Sequence, residues 1–236
     1  MGELGAQNGR SVVFALRPAQ EFVYRTQHQV FAARSRFSFG LDGFGATINH
    51  NGLPDGIFFA WLGQFQWVQR LSQFSWVQGL GQYPWVQRLG LLDSYAIFRS
   101  SFQYSDSPLL SLEQVSIGGR YSVRGYRENT MLRHRAALIS LEMHLPVIQN
   151  TDWADYLELA QFVDFGQGWD VNLKTPPPKN IASVGVGVRW ALSFLRPFPI
   201  RPQFEMYWGH RIIKVLNPEN SLQDHGFHLQ FGIGFF

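Results

Sequence analysis

The sequence predicts an all-β protein, an antiparallel transmembrane β-barrel or a portion of one. Three observations lead there. Apolar and polar side chains alternate with a period of two along most of the 236 residues, in segments of roughly ten residues, as membrane-crossing strands require. Aromatic residues reach 16%, with 21 Phe and 8 Trp, while charged residues stand at only 16%, well below the usual share of about a quarter. Mean hydropathy is nevertheless −0.12, the balance that arises when one face of each strand meets lipid and the other meets water. A soluble β-sandwich would bury the aromatic face instead, and aromatics at strand ends favour a headgroup layer.

Composition also excludes several functions. A formal net charge of +3 with scattered basic residues offers no patch for nucleic acid. The chain has no cysteine, so it has neither a disulfide frame nor a thiolate metal site. Its seven histidines are dispersed, and His225 and His228 lack acidic companions nearby, so neither metal nor cofactor is expected. Asp164-Phe165-Gly166 spells a kinase metal-binding tripeptide without the other kinase motifs, and no Gly-x-Ser-x-Gly elbow occurs, so an enzyme is not expected. No apolar run reaches the ~18 residues of a membrane helix. The first ten residues have no apolar core and are not a signal peptide. A barrel must be exported, so the true start is expected upstream, or the chain is a fragment.

About nine strands follow from the alternation. Ser11 to Arg25 alternates in part. In Gln29 to Leu41, Phe31, Ala33, Phe37 and Phe39 oppose Arg34, Arg36 and Ser38. In Ile57 to Leu71, Phe59, Trp61, Phe65 and Trp67 oppose Ala60, Gln64, Gln66 and Arg70. Ser94 to Tyr104, Arg135 to Leu145, Tyr156 to Gly166, Ile181 to Leu192, Arg201 to His210 and Phe227 to Phe236 complete the set. No segment reads as a convincing helix. Longer connections at Asp42–Gly56, Ser105–Arg133, Val171–Asn180 and Ile212–His225 fall on one side, the outer side in a barrel of this kind.

A tandem repeat interrupts this order at residues 63–89. Gly63 to Leu71 is followed by near-copies at Ser72 to Leu80 and Gly81 to Leu89, each containing Trp-Val-Gln. One strand through all three copies would run roughly 90 Å, about three times the membrane core. Each copy, once it supplies a turn, is too short to cross, and Pro84 cannot donate to a ladder. The repeat is therefore expected to leave the sheet on the periplasmic side as a hairpin or extension over roughly Ser72 to Gly90.

The stretch Gln114 to Asn129 is too polar and glycine-broken for a strand. Gly118-Gly119 permits a sharp turn, and Gly125 can adopt positive φ. Tyr121, Val123, Arg124 and Tyr126 give this loop its own hydrophobic anchors and one central arginine, a combination suited to docking. Gly118-Gly119 followed by Val123-Arg124-Gly125-Tyr126 resembles the signature loop of two-partner secretion transporters. These are the haemolysin secretion/activation proteins, relatives of the outer-membrane assembly barrels. Phe162-Val163-Asp164-Phe165-Gly166 resembles the second family motif, Phe-x-Asp-x-Gly, carried by Phe162, Asp164 and Gly166. The terminal Phe236 resembles the barrel-assembly signal. The likeness runs from Arg25 onward, with order and spacing in agreement.

The resemblance implies residues 1–236 of a C-terminal barrel portion of a sixteen-stranded transporter, with the signature loop at 105–133 folded back into the lumen. It implies that Arg124 meets Asp164 on the inner wall, and the alternation independently places Asp164 with Glu158 and Ala160, opposite Leu157 and Leu159. It further implies an outer-membrane location and three partners: secreted exoprotein cargo, outer-membrane lipid and the barrel-assembly machinery. The periplasmic modules and about seven strands of the family pattern have no counterpart here, nor does the family explain the repeat. The expected function is a pore that translocates a large exoprotein. The alternatives are a truncated, non-functional remnant and another outer-membrane barrel such as a lipase or protease.

Overall fold

The structure, a computed structural model, describes residues 6, 9–49, 52–88, 91–193, 200–215 and 221–235. Phe236, residues 89 and 90 of the repeat region and part of the 212–225 connection lie outside the described residues. In chain order the strands are β1 (Ala15–Leu16), β2 (Ala19–Arg25), β3 (Gln29–Gly40), β4 (Phe58–Arg70), β5 (Tyr95–Ser105), β6 (Val115–Ile117), β7 (Met131–Arg133), β8 (Arg135–Gln149), β9 (Ala154–Trp169), β10 (Asn180–Leu192), β11 (Ile200–Arg211) and β12 (Phe227–Phe235). All but β6 and β7 form one sheet in the order β1-β3-β4-β5-β8-β9-β10-β11-β12, with β2 beside β3.

The pairings are antiparallel throughout. Segments β1 and β2 lie on the same side of β3, parted at Arg17-Pro18, where proline has no N–H for the ladder. They act as one interrupted strand, so nine strands stand side by side in up-down order. The sheet is open, and its outer strands do not pair with each other among the described residues.

Period-two alternation gives this wall two unlike faces. Leu141, Val163 and Val184 lie in one cross-strand row and are 53%, 51% and 44% exposed. One residue along, Ser140, Asp164 and Ser183 form the adjacent row on the opposite face, where Asp164 and Ser183 are fully buried. Here the charged side is covered and the apolar side is bare. That inversion of an ordinary soluble fold is what a lipid solvent demands. Among the described residues no helix is long and apolar enough to cross a membrane.

Two expectations need correction. The central strands are longer than about ten residues, with 15 in β8 and 16 in β9. The added residues of β8, Pro146–Gln149, lie at its turn into β9, whereas β9 runs on through Gln167–Trp169 at the end where β6 pairs with β7. A Cβ on Gly168 would lie 2.9 Å from Ile117, so the short hairpin at the base of the 105–133 loop rests against the wall rather than standing in solvent. The second correction concerns the repeat, which contains helices. Its first copy completes β4, whereas the next two form α1 (Ser75–Leu80) and α2 (Pro84–Arg88).

Partner supply explains that change of state. Trp67-Val68-Gln69 has β3 on one side and β5 on the other. Both neighbours run out there: Gln29 opposite Gln69 starts β3, and Tyr95 opposite Arg70 starts β5. Beyond Arg70 the same Trp-Val-Gln sequence has no ladder to join, so its backbone groups must be satisfied locally, as helical turns provide. Pro84 opens α2 at its first position, where a missing N–H costs nothing. A hydrogen bond from Leu71 N to Ser94 O, 2.8 Å, closes the base of the excursion. It is an extension, not a hairpin or an added strand pair.

A charge on the bare face should be costly. Val186, mid-strand in β10 and 53% exposed, is expected on substitution V186R to lower unfolding stability in lipid vesicles by about 2–4 kcal/mol. An unchanged denaturant midpoint would show that this face does not meet hydrocarbon.

Candidate functional site: a loop pinned inside the wall

The 105–133 connection turns back over the buried face of the sheet. Three glycines permit its path. Gly118, Gly119 and Gly125 have φ of 108°, 102° and 89°, values that other residues rarely adopt. Between them the loop carries its own small core, in which Ile117, Val123, Tyr126 and Met131 pack with Ala136 of β8 and Ile181 of β10. Gly166 is part of the same fit, since a Cβ there would lie 2.6 Å from Ile117 and 2.8 Å from Val123. The glycine of the second motif is thus the seat on which the signature loop rests.

Arg124 sits at the centre. Its Nε donates to Asp164 Oδ2 at 2.8 Å and Nη2 donates to Oδ1 at 2.9 Å, a parallel two-bond fork. The Arg124 backbone N–H donates to the same Oδ2 at 3.0 Å. Nη1 reaches a second carboxylate, Glu142 Oε2, at 2.7 Å, and Nη2 also donates to Ser140 Oγ at 3.2 Å. The guanidinium lies 3.7 Å from the centroid of the Phe162 ring, whose face favours a cation. Side-chain exposure of Arg124, Asp164 and Glu142 is 4%, 0% and 2%. A lysine could supply the charge but not the fork.

Around this centre the wall is lined by alternating charge. Glu142 also faces Arg99 at 3.4 Å and the Tyr207 hydroxyl at 3.3 Å. His144 Nε2 lies 2.8 Å from Glu142 Oε1 in an ion-pair contact poorly aligned for a hydrogen bond, and its Nδ1 is 3.3 Å from Glu158. Arg189 links Glu158 to Glu205, 3.1 Å from each. Arg120, the residue directly after the paired glycines, closes the series by pairing with Glu205. A cavity of about 650 Å³ remains between loop and wall, lined by charged and polar groups such as Arg34, Gln64, Arg99 and Glu142 together with apolar ones such as Phe65 and Leu138.

The tip is held on its other side by backbone. The Gly125 N–H donates to His228 Nε2 at 2.9 Å, which requires that nitrogen to be unprotonated. Arg211 Nε donates to Gly125 O at 2.6 Å. The Tyr126 hydroxyl lies 2.8 Å from Ala182 O and 2.7 Å from Ile213 O, and burial pushes its pKa up, so it remains a donor. A Cβ on Gly209 would come within 2.8 Å of Gly125 Cα, so loop and β11 meet main chain to main chain.

Phe162, Asp164 and Gly166 are therefore brought together with Gly118, Gly119, Val123, Arg124, Gly125 and Tyr126. Glu142, Arg120, Arg211, His228 and Gly209 also build the site; from the sequence, His228 is set aside as a metal ligand and none of the five has a part in holding the loop. The alternation places Glu142, Gly209 and His228 on the inner face, but only the strand register shows that they reach the height of Arg124.

An antiparallel wall with a bare apolar face, a charged inner face and an arginine-pinned loop is the architecture of part of a membrane β-barrel. Residues 20–190 match the family described as haemolysin secretion/activation protein ShlB/FhaC/HecB, and the chain belongs to that family of two-partner secretion transporters. The solved structure of CdiB from Escherichia coli is similar over 94% of this chain, with a TM-score of 0.65 and 14% identity. This chain spans 36% of the length of that one. A search of the curated proteins found no match.

The glycine contact provides a direct test of the docking. Gly209→Ala is expected to leave the strands paired while lifting the loop tip, seen as faster protease nicking between Arg120 and Arg127 in the inserted protein. Unchanged nicking would mean the close approach is not needed.

Proposed function

We propose that this chain forms the C-terminal part of an outer-membrane pore through which a secreted exoprotein partner passes. Arg124 acts in it as the latch that holds the 105–133 loop in the lumen. The observation that carries the reading is the fork between Arg124 and Asp164, which joins the two segments that resemble the family's signature loop and second motif. The Arg124 guanidinium is the central attachment of the loop tip, with Arg120, Arg211 and His228 holding it alongside, and release of the tip opens the space it fills. The bare apolar face supports outer-membrane lipid as a second partner. Strand β12, a row of apolar residues at alternate positions, supports recognition by the barrel-assembly machinery. Passage, not covalent chemistry, suits a wall whose carboxylates are engaged by arginine, histidine and tyrosine.

Secretion of the exoprotein by the full-length transporter tests this. Arg124→Ala and Asp164→Ala should each reduce export while the barrel still inserts, because removing one member of a buried pair costs about 3–5 kcal/mol of docking energy. Arg124→Ala should be the more severe, since it leaves Asp164 without its fork and takes one partner from Glu142. The double substitution should be no worse than Arg124→Ala alone, as both remove one interaction. Strictly additive losses, or full export from both single variants, would overturn the latch.

A further inference from the structure

The two helical copies of the repeat answer to none of these roles. In α1, Val77 is 4% exposed and Val86 holds the equivalent place in α2 at 1%. The valine of each copy turns inward, and a Cβ on Gly81 would touch Leu92 of the following turn. With Val77 inward, helical spacing sets Trp76 and Leu80 together on one flank and Gln78 on the other. Trp76 is 63% exposed, Leu80 39% and Phe74 38%, with the Phe74 and Trp76 rings stacked 6.3 Å apart. Tyr83, between the helices, is 46% exposed.

Three features say what covers this flank. From Leu71 to Asp93 only Arg88 and Asp93 carry charge, with glutamine and serine supplying the polarity. A projection into water would normally carry more. The closure from Leu71 N to Ser94 O keeps both ends at the sheet rim, so the excursion cannot move far from the wall. The apolar face of that wall reaches the same rim through Trp67 of β4 and Phe98 of β5, which are cross-strand partners. Tryptophan and tyrosine beside a lipid-facing sheet, with few charges, form the chemistry of a membrane interface.

We propose that Phe74, Trp76 and Leu80 form an interfacial foot seated among phospholipid headgroups at the rim opposite the signature loop. On the outer-membrane reading, on which this rests, that is the periplasmic leaflet. The foot fixes the depth of β4 and β5 in the bilayer, and the buried valines hold the helices flat while the aromatic flank enters the headgroup layer. Gln78 on the other flank remains in water.

Because the chain has no cysteine, single thiol labels report one site each. An environment-sensitive fluorophore is attached at Trp76→Cys, Leu80→Cys, Gln78→Cys or Val184→Cys in the full-length protein, with any cysteine outside these 236 residues first replaced by serine, and the protein is inserted into phosphatidylethanolamine/phosphatidylglycerol vesicles. Labels at 76 and 80 should lose fluorescence to lipids carrying a nitroxide on the headgroup and be spared by aqueous iodide. The label at 78 should show the reverse. If 76 and 80 are quenched by iodide as 78 is, the repeat projects into water and the foot is wrong. If they are spared by both quenchers, protein covers them, and the proposal fails equally. The label at 184 is expected to respond to acyl-chain nitroxides. Its failure to do so would overturn the membrane reading of the wall itself, a result distinct from loss of the foot alone.

Discussion

Arg124 is a cation held out of water, and the inner face is arranged around that fact. An unpaired guanidinium at this depth would be prohibitive, and a single carboxylate would leave most of its donors unmet. Asp164 takes the fork, Glu142 takes Nη1 and Ser140 shares Nη2. The second carboxylate adds negative charge, and Arg99 and His144 lie against it. Each addition creates a further demand, met by Glu158, Arg189, Glu205 and finally Arg120 of the loop itself. The network begins and ends on the same loop. Its members come from β5, β8, β9, β10 and β11, so holding the loop and holding those five strands in register are linked.

The outer face obeys a simpler rule. Nothing there needs a specific partner, and rows such as Leu141, Val163 and Val184 require only a solvent that accepts hydrocarbon. Specific geometry is concentrated on one side of a sheet one residue thick, and non-specific burial on the other. This division accounts for the composition of the strands: aromatic and branched residues serve the bare side, while Arg99, Glu142, Glu158, Asp164, Arg189 and Glu205 gather on the side with the loop.

How much of this was legible in the sequence depended on the kind of information required. Alternation sufficed for the nine strands and their two faces, because parity is local and survives small errors at strand ends. It placed Asp164 inward without help, and the family likeness paired it with Arg124. It could not reach Glu142 as the second acceptor, because height along a neighbouring strand follows from register, which is not local. Gly209 looks like an ordinary strand glycine until the loop lies over it. The helices were missed for a related reason. Trp-Val-Gln occurs in both β4 and α1, so its conformation is decided by neighbouring strands and not by its own preference. The added length of β8 and β9 is likewise set by what lies alongside.

The hydrogen bond closing the base of the repeat has a consequence for descent as well as structure. Copies that gain or lose nine codons by slippage change only what hangs beyond the clasp, because Leu71 and Ser94 stay one strand spacing apart whatever lies between them. Nine is odd, so one such event within a ladder would turn every later side chain to the wrong face; beyond the clasp it turns none. The rim between β4 and β5 is thus a place where this lineage can lengthen its chain in whole units without renegotiating the wall.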